Sequence, residues 1–186
     1  MQKIVFMRHS EPDYSFVRER NYIGHGIDLA QLTENGIQIA ESASFDSRLD
    51  DAEIIVSSPY TRALQTAAII SKNRRLDIKV ELDLHEWMPD LSFRCSSKEE
   101  ASALARLCNE CRGVCPPDSA VQFENLEDVF NRAKKALLRY GEYKKILVVT
   151  HGMVMCRFHF EPHIPFCGIS EIDFDESFPC TEFQAY

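Results

Sequence analysis

Two arginines, two histidines and a carboxylate in this chain have the types needed to bind and attack a phosphate monoester: Arg8 with His9, Arg62, His151 with Gly152 beside it, and Glu86. A phosphate monoester carries close to two negative charges at neutral pH. Arginine stays charged there and offers a planar fork of donors that matches phosphate oxygens. In phosphoryl transfer, catalysis is mainly positioning and electrostatic stabilisation, which two guanidiniums and a cationic imidazole supply without a metal. A neutral imidazole is a competent nucleophile near pH 7. One histidine should then be neutral and the other preferably cationic, so the site has to separate their pKa values; these residues alone do not say which is which. An acid must protonate the leaving oxygen. Glu86, next to Trp87 and Met88, is the candidate, because apolar surroundings raise a carboxyl pKa; His85 is its rival.

These residues converge only if particular elements carry them. Ile4-Val5-Phe6-Met7, Ile54-Ile55-Val56 and Ile146-Leu147-Val148-Val149 read as buried strands, and Ile78 to Leu82 as another. A helix is expected from about Pro59, with Ser58 as N-cap and Pro59 at the first helical position. Further helices are expected from Thr33 to about Ala43, from Ser97 with a Ser97/Glu100 capping box, and through Leu126, Val129, Phe130, Ala133, Leu137 and Tyr140, closed by Gly141 as a C-cap. Alternation of this kind implies an α/β fold whose parallel sheet is covered on both faces. Ligands then sit beyond the carboxyl ends of the strands. Arg8-His9, Arg62 and His151-Gly152 all fall at that edge.

The totals set limits. The 186 residues suit one domain spanning residues 1–186, with 45% apolar and 27% charged side chains. No apolar run approaches a membrane span, and the amino-terminal stretch reaches charge too early for a signal peptide. Seven scattered cysteines fit reduced thiols and a cytoplasmic location better than a disulfide framework. A net charge of −8 argues against nucleic acid or an anionic membrane as partner. An anionic small substrate remains compatible, because a few focused cations outweigh a diffuse surface charge that salt screens.

With the motifs assembled, the chain resembles the histidine phosphatase superfamily, in its phosphoglycerate-mutase-like branch. The resemblance rests on Arg8-His9, Leu32-Thr33-Glu34-Asn35-Gly36, Ser57-Ser58-Pro59-Tyr60-Thr61-Arg62-Ala63-Leu64-Gln65-Thr66-Ala67, Leu84-His85-Glu86 and Val148-Val149-Thr150-His151-Gly152, in the family's order. It implies a three-layer α/β/α sandwich around a mostly parallel central sheet, with late strands at 170–174 and 181–185. It also implies that His9 is the phosphoryl acceptor, that Arg8, Arg62 and His151 hold the phosphate, that the Gly152 amide adds a hydrogen bond, and that Glu86 is the proton donor. The expected protein is a metal-independent phosphomonoesterase, with no cofactor and a phosphorylated small molecule as substrate. Two positions depart from the pattern: Ser10 stands where the family often has Gly, and Ser15 where many members carry an Asn that contacts phosphate. Both are further candidates for phosphate contact, and they bear on substrate identity more than on the reaction.

Two alternatives share the same residues: a mutase that returns the phosphoryl group to a phosphoglycerate, and a non-catalytic module that binds a phosphorylated ligand. The family's mutases usually carry a longer insertion between the acid and the second histidine. Cys108, Cys111 and Cys115 match part of a ferredoxin cluster run, but Ala105 stands at its first cysteine, so ordinary buried or loop thiols are the reading. His25 is a turn or pocket-mouth residue, His159 and His163 are structural, and Arg18 and Arg20 belong to a solvated stretch.

Overall fold

The computed structural model describes residues 1–185. Four strands, β1 (Gln2–Arg8), β4 (Ile54–Ser57), β5 (Ile78–Val80) and β6 (Lys145–Thr150), are joined by parallel pairing in the order β5-β4-β6-β1. A final strand, β7 (Ile169–Phe174), runs antiparallel along the outer side of β1 and closes that edge. The short β2 (Pro12–Asp13) and β3 (Gln31–Leu32) form a separate two-stranded ladder above the sheet's carboxyl edge loops.

The sheet is packed on both faces because its strands are apolar on both. Along β1, Ile4 and Phe6 point to one side and Val5 and Met7 to the other, as the two-residue repeat of a strand requires. On the first side they meet α4 (Lys98–Glu110) and α5 (Leu126–Leu138) through Cys108, Val129, Phe130, Ala133 and Leu137, with the short α6 (Gly152–Cys156) between. On the second side they meet α2 (Glu34–Ala43) and α3 (Thr61–Arg74) through Ala40, Ala63, Ala67 and Ile70. This is the expected three-layer sandwich. No helix among the described residues is long and apolar enough to cross a membrane.

Several local expectations change. Helix α3 starts at Thr61, with Tyr60 as its N-cap residue, rather than at Pro59. Ser58, one residue past β4, is still tied to β6: its amide donates to the Val149 carbonyl at 2.9 Å, and its hydroxyl bonds His151 and the Tyr60 amide. Ser97 caps α4 through the Glu100 amide at 3.1 Å, but the Glu100 carboxylate returns to the amide of Ser96, one residue short of a full capping box. Helix α5 ends at Leu138 in right-handed turns through Arg139, so Gly141 supplies no left-handed C-cap. Strand β5 stops at Val80, and Leu82–Leu84 form a single 3-10 turn. Residues 181–185 form no strand, because Thr181 is tied to the end of α6 instead: its amide donates to Arg157 and its hydroxyl to the Cys156 carbonyl.

The packing makes neighbouring leucines on α5 unequal. Leu137 is fully buried, whereas Leu138 is 41% exposed. Leu137→Ala is expected to lower the unfolding free energy by about 2–5 kcal/mol and Leu138→Ala by about 0.5 kcal/mol. Equal losses in urea unfolding contradict the helix orientation.

Candidate active site

The carboxyl ends of three parallel strands finish in register. Arg8 on β1 pairs with Thr150 on β6, and Ser57 on β4 with Val149. One residue further on, the His9 amide donates to the Thr150 carbonyl at 2.8 Å and the Ser58 amide to Val149. The rings of His9 and His151 consequently lie 5.1 Å apart. Arg62, in the first turn of α3, reaches the same spot from the neighbouring segment, its Nε donating to His9 Nε2 at 3.3 Å.

Hydrogen bonds fix the chemistry of each imidazole. His9 is 5% exposed, and its Nδ1 lies 2.7 Å from the carbonyl of Ser10. A carbonyl only accepts, so Nδ1 carries the hydrogen and Nε2 keeps its lone pair, the tautomer that also accepts from Arg62. His151 is fully buried and its Nε2 lies 2.8 Å from the Ser58 hydroxyl. That hydroxyl also accepts from the Tyr60 amide at 3.3 Å. Nδ1 of His151 is buried and without a protein partner, as is Nε of Arg8, and it is an N–H donor in the tautomer whose Nε2 accepts from the Ser58 hydroxyl. Two buried donors with nothing to bond to are what an oxyanion site requires.

The arginines are held without being saturated. Arg8 donates through Nη1 to the Ile164 carbonyl, and its guanidinium sits 4.8 Å from the centre of the Phe166 ring. Arg62 is 5% exposed and pairs through Nη1 with Asp28 at 2.9 Å.

The electrostatics differ from the expected split between the two histidines. Both are pushed well below the usual histidine value, first by burial and then by the Arg62 charge. At neutral pH both imidazoles are therefore neutral, and the positive charge of the cup comes from Arg8 and Arg62 alone. Burial lowers Arg8, but an arginine starts so high that it stays charged. Burial opposes the Arg62 charge too, yet Tyr14, Asp28 and Glu86 outweigh it. Glu86 is shifted the other way: burial raises its carboxyl against the opposing pull of the Trp87 amide and three arginines. His85 is lowered by burial, and its Nδ1 is engaged with the Glu86 carbonyl at 2.7 Å.

The recognised motifs serve to hold this arrangement. Thr66, one turn beyond Arg62 on α3, accepts from the Ser10 amide at 3.0 Å, and Gln65 accepts from the Leu32 amide at 2.8 Å. Thr33 caps α2, and Glu11 accepts from Thr33 and Asn35. Gly36 is needed because a Cβ there would come within 2.4 Å of the Glu11 carbonyl. Ser10 is fully buried, and its hydroxyl donates to the Gly36 carbonyl at 2.6 Å, so it braces the loop instead of facing the cup. Ser15 is exposed at the start of α1 (Ser15–Glu19), bonded to Asp13. Gly152 opens α6, directly after His151, with the Arg8 Nε close to where its Cβ would be.

The loop bearing Glu86 has its own clamp. Arg132 on α5 donates to the carbonyls of Asp83, His85 and Glu86 while pairing with Glu124, and Glu124 accepts from the Met88 amide at 3.2 Å. Ser58, Asp28, Phe166, Arg132 and Glu124 are the functional neighbours that sequence reading did not select. Ser58 stood inside the recognised block, whereas the others carry no local signal. Among the described residues no group of three or more His, Cys, Asp or Glu side chains is arranged to hold a metal ion; Cys108 is a core residue.

Comparison with known proteins follows this geometry. The profile of the histidine phosphatase superfamily (branch 1) matches residues 4–161. A bifunctional protein of Mycobacterium tuberculosis is 28% identical over 158 residues, which cover 80% of this chain but 41% of that protein, so the chain spans less than half the length of the mycobacterial relatives it matches. A Proteus mirabilis protein described as a probable phosphoglycerate mutase is 27% identical over 198 residues, covering 95% of this chain and 87% of its own length. Among solved structures, a mycobacterial glucosyl-3-phosphoglycerate phosphatase superposes with a TM-score of 0.72 at 19% identity, covering 98% of this chain and 97% of that one. The α-ribazole phosphatase of Shigella flexneri gives 0.66 at 18% identity, covering 100% and 96%. At those identities the likeness is one of fold.

Two neutral buried imidazoles give stability a definite pH dependence. The unfolded chain binds protons on these histidines near the ordinary value of about 6.5, and the folded chain only at lower pH. Their presence costs nothing above about pH 6.5 and removes up to about 1.4 kcal/mol per pH unit per histidine below it. Glu86, raised in the fold, acts with the opposite sign: its contribution is present in acid and lost as pH rises through its folded value. Comparing urea unfolding at pH 7.5 and 5.5, the wild-type chain is expected to lose more stability on acidification than His151→Asn, by about 1 kcal/mol. Identical losses contradict a neutral His151.

Proposed function

The chain belongs to the histidine phosphatase superfamily, and we propose that it is a phosphomonoesterase working through a phosphohistidine at His9. The observation that carries this reading is the His9 tautomer: Nδ1 is committed to the Ser10 carbonyl, leaving the Nε2 lone pair beside Arg62 and the unpartnered donors of Arg8 and His151. In the first step the ester's phosphoryl oxygens take the Arg8, Arg62 and His151 donors. Nε2 of His9 attacks phosphorus, the bond to the ester oxygen breaks, and the protonated Glu86 carboxyl delivers its proton to that oxygen, releasing the alcohol. In the second step water attacks phosphorus, the Glu86 carboxylate takes the water proton, and the His9–phosphorus bond breaks to release inorganic phosphate. Glu86 is preferred to His85 as the acid because it lines the same cleft as Arg62 and its carboxyl is raised towards neutrality.

The mutase reading draws on the Proteus mirabilis relative. It requires interconversion of phosphoglycerates in the presence of a bisphosphoglycerate primer rather than phosphate release. Retained phosphate-ester binding with no phosphorylated histidine would favour the binding-module reading instead.

His9→Ala is expected to abolish hydrolysis of p-nitrophenyl phosphate, and a chelator to leave the wild-type rate unchanged. Glu86→Gln is expected to slow an alkyl phosphate by about 10²–10⁴ and to affect the nitrophenyl ester much less, since that leaving group needs no proton. Wild-type turnover of the alkyl ester should fall as pH rises through the Glu86 pKa, and Glu86→Gln should lack that limb. Undiminished activity in His9→Ala contradicts the mechanism.

A further inference from the structure

Arg62 and Glu86 belong to the phosphate cup, and they also line a cleft of about 240 Å³ that opens beside it. If Glu86 protonates the leaving oxygen, this cleft receives the alcohol portion of the ester; in that respect the inference rests on the proposed function. Its walls are largely apolar, with Ile27, Tyr60, Trp87, Met88, Pro89 and Phe93 contributing. An apolar cavity of roughly 150 Å³ holds a benzene ring, so the space suits a ring-sized body.

The cleft has no free cation among its lining residues. No lysine and no arginine other than Arg62 is among its lining residues. Arg62 is itself committed to Asp28 and to the phosphate cup. A second anionic group on the substrate, such as the carboxylate of a phosphoglycerate, would be desolvated there with no cation to spare for it.

Phe93 provides an independent observation. Its backbone is left-handed, with φ 60°, a conformation that favours glycine or asparagine and costs a bulky residue energy. It is nevertheless an aromatic residue, 47% exposed at the cleft wall. The turn that imposes this shape is built around Asp90, whose carboxylate accepts from the amides of Ser92, Arg94 and Cys95 at 2.8, 2.7 and 2.9 Å. The neighbouring loop fits only because Gly24 lacks a side chain, as a Cβ there would lie 2.3 Å from the Phe93 carbonyl. The His25 ring then packs on Phe93 at 4.6 Å and on Tyr60 at 5.8 Å, making one continuous aromatic wall. Neither core burial nor backbone preference calls for an aromatic residue here.

We propose that Phe93 is a specificity-determining residue, and that the cleft selects phosphate monoesters of uncharged alcohols with a ring or similarly apolar body over esters carrying a second anion. The test uses three alkyl esters with leaving groups of similar basicity: 2-phenylethyl phosphate, glycerol 3-phosphate and 3-phosphoglycerate. The expected kcat/KM for the phenylethyl ester is about tenfold or more above the other two. Phe93→Gly should abolish most of that advantage by raising KM for the phenylethyl ester, with kcat and the glycerol ester little changed. Its melting temperature should stay close to wild type, because glycine accepts the left-handed backbone. Equal kcat/KM across the three esters, or a Phe93→Gly variant that slows all of them alike, overturns the proposal. Calorimetry with phenylphosphonate and methylphosphonate reads the same preference without turnover: about tenfold tighter binding of the phenyl compound is expected, and equal affinity contradicts it. Loss of the phosphatase reading has a different signature, namely no His9-dependent turnover of any ester.

Discussion

The carboxyl ends of β1, β4 and β6 stop in step, and everything at the site follows from that register. It places His9 and His151 on adjacent strand ends, ring against ring, with the Ser58 hydroxyl directed at one of them. Neither ring has water enough around it to support a charge, and two guanidiniums stand nearby. Burial and repulsion therefore act together, and both imidazoles stay neutral. The positive potential of the cup comes from arginines, which burial cannot discharge. A neutral imidazole supplies a lone pair, and the arginines supply the field; the two tasks are divided between side chains whose pKa values lie far apart.

Around this centre the chain uses hydrogen bonds to backbone groups more than packing to fix side-chain direction. The Ser10 carbonyl sets the His9 tautomer, and Thr66 holds the Ser10 amide. On the opposite side Arg132 gathers three consecutive-turn carbonyls of the Glu86 loop while Glu124 neutralises it. Breaking a pair of that kind leaves an uncompensated buried charge. The same helix, α5, supplies core contacts through Leu137 and holds the Glu86 loop through Arg132.

Much of this was legible in the residues. The apolar runs at 4–7, 54–56 and 146–149 are strands, and the alternation of strand and helix implied the layered sheet whose carboxyl edge gathers Arg8, His9, Arg62 and His151. What escaped was tertiary. The N-cap reading of Ser58 failed because its amide is held by β6 and its hydroxyl bonds His151 and the Tyr60 amide, so the helix begins only at Thr61. Gly141 looked like a helix stop, but the chain turns right-handed before reaching it. That both histidine rings are buried beside the same arginine, and are lowered together, is likewise visible only in the folded chain. Asp28 and Phe166 sit in loops with no periodic signal, so only the folded chain brings them to the arginines.

The proposed mechanism requires the Nε2 lone pair of His9 to receive phosphorus. Rapid quenching of the protein with a 32P-labelled phosphate ester, followed by peptide mapping, tests it directly. Transient label is expected on the peptide containing His9, stable to base and released by acid, and absent from His9→Ala. Steady phosphate release with no labelled histidine at any time, or label on another residue, would contradict it.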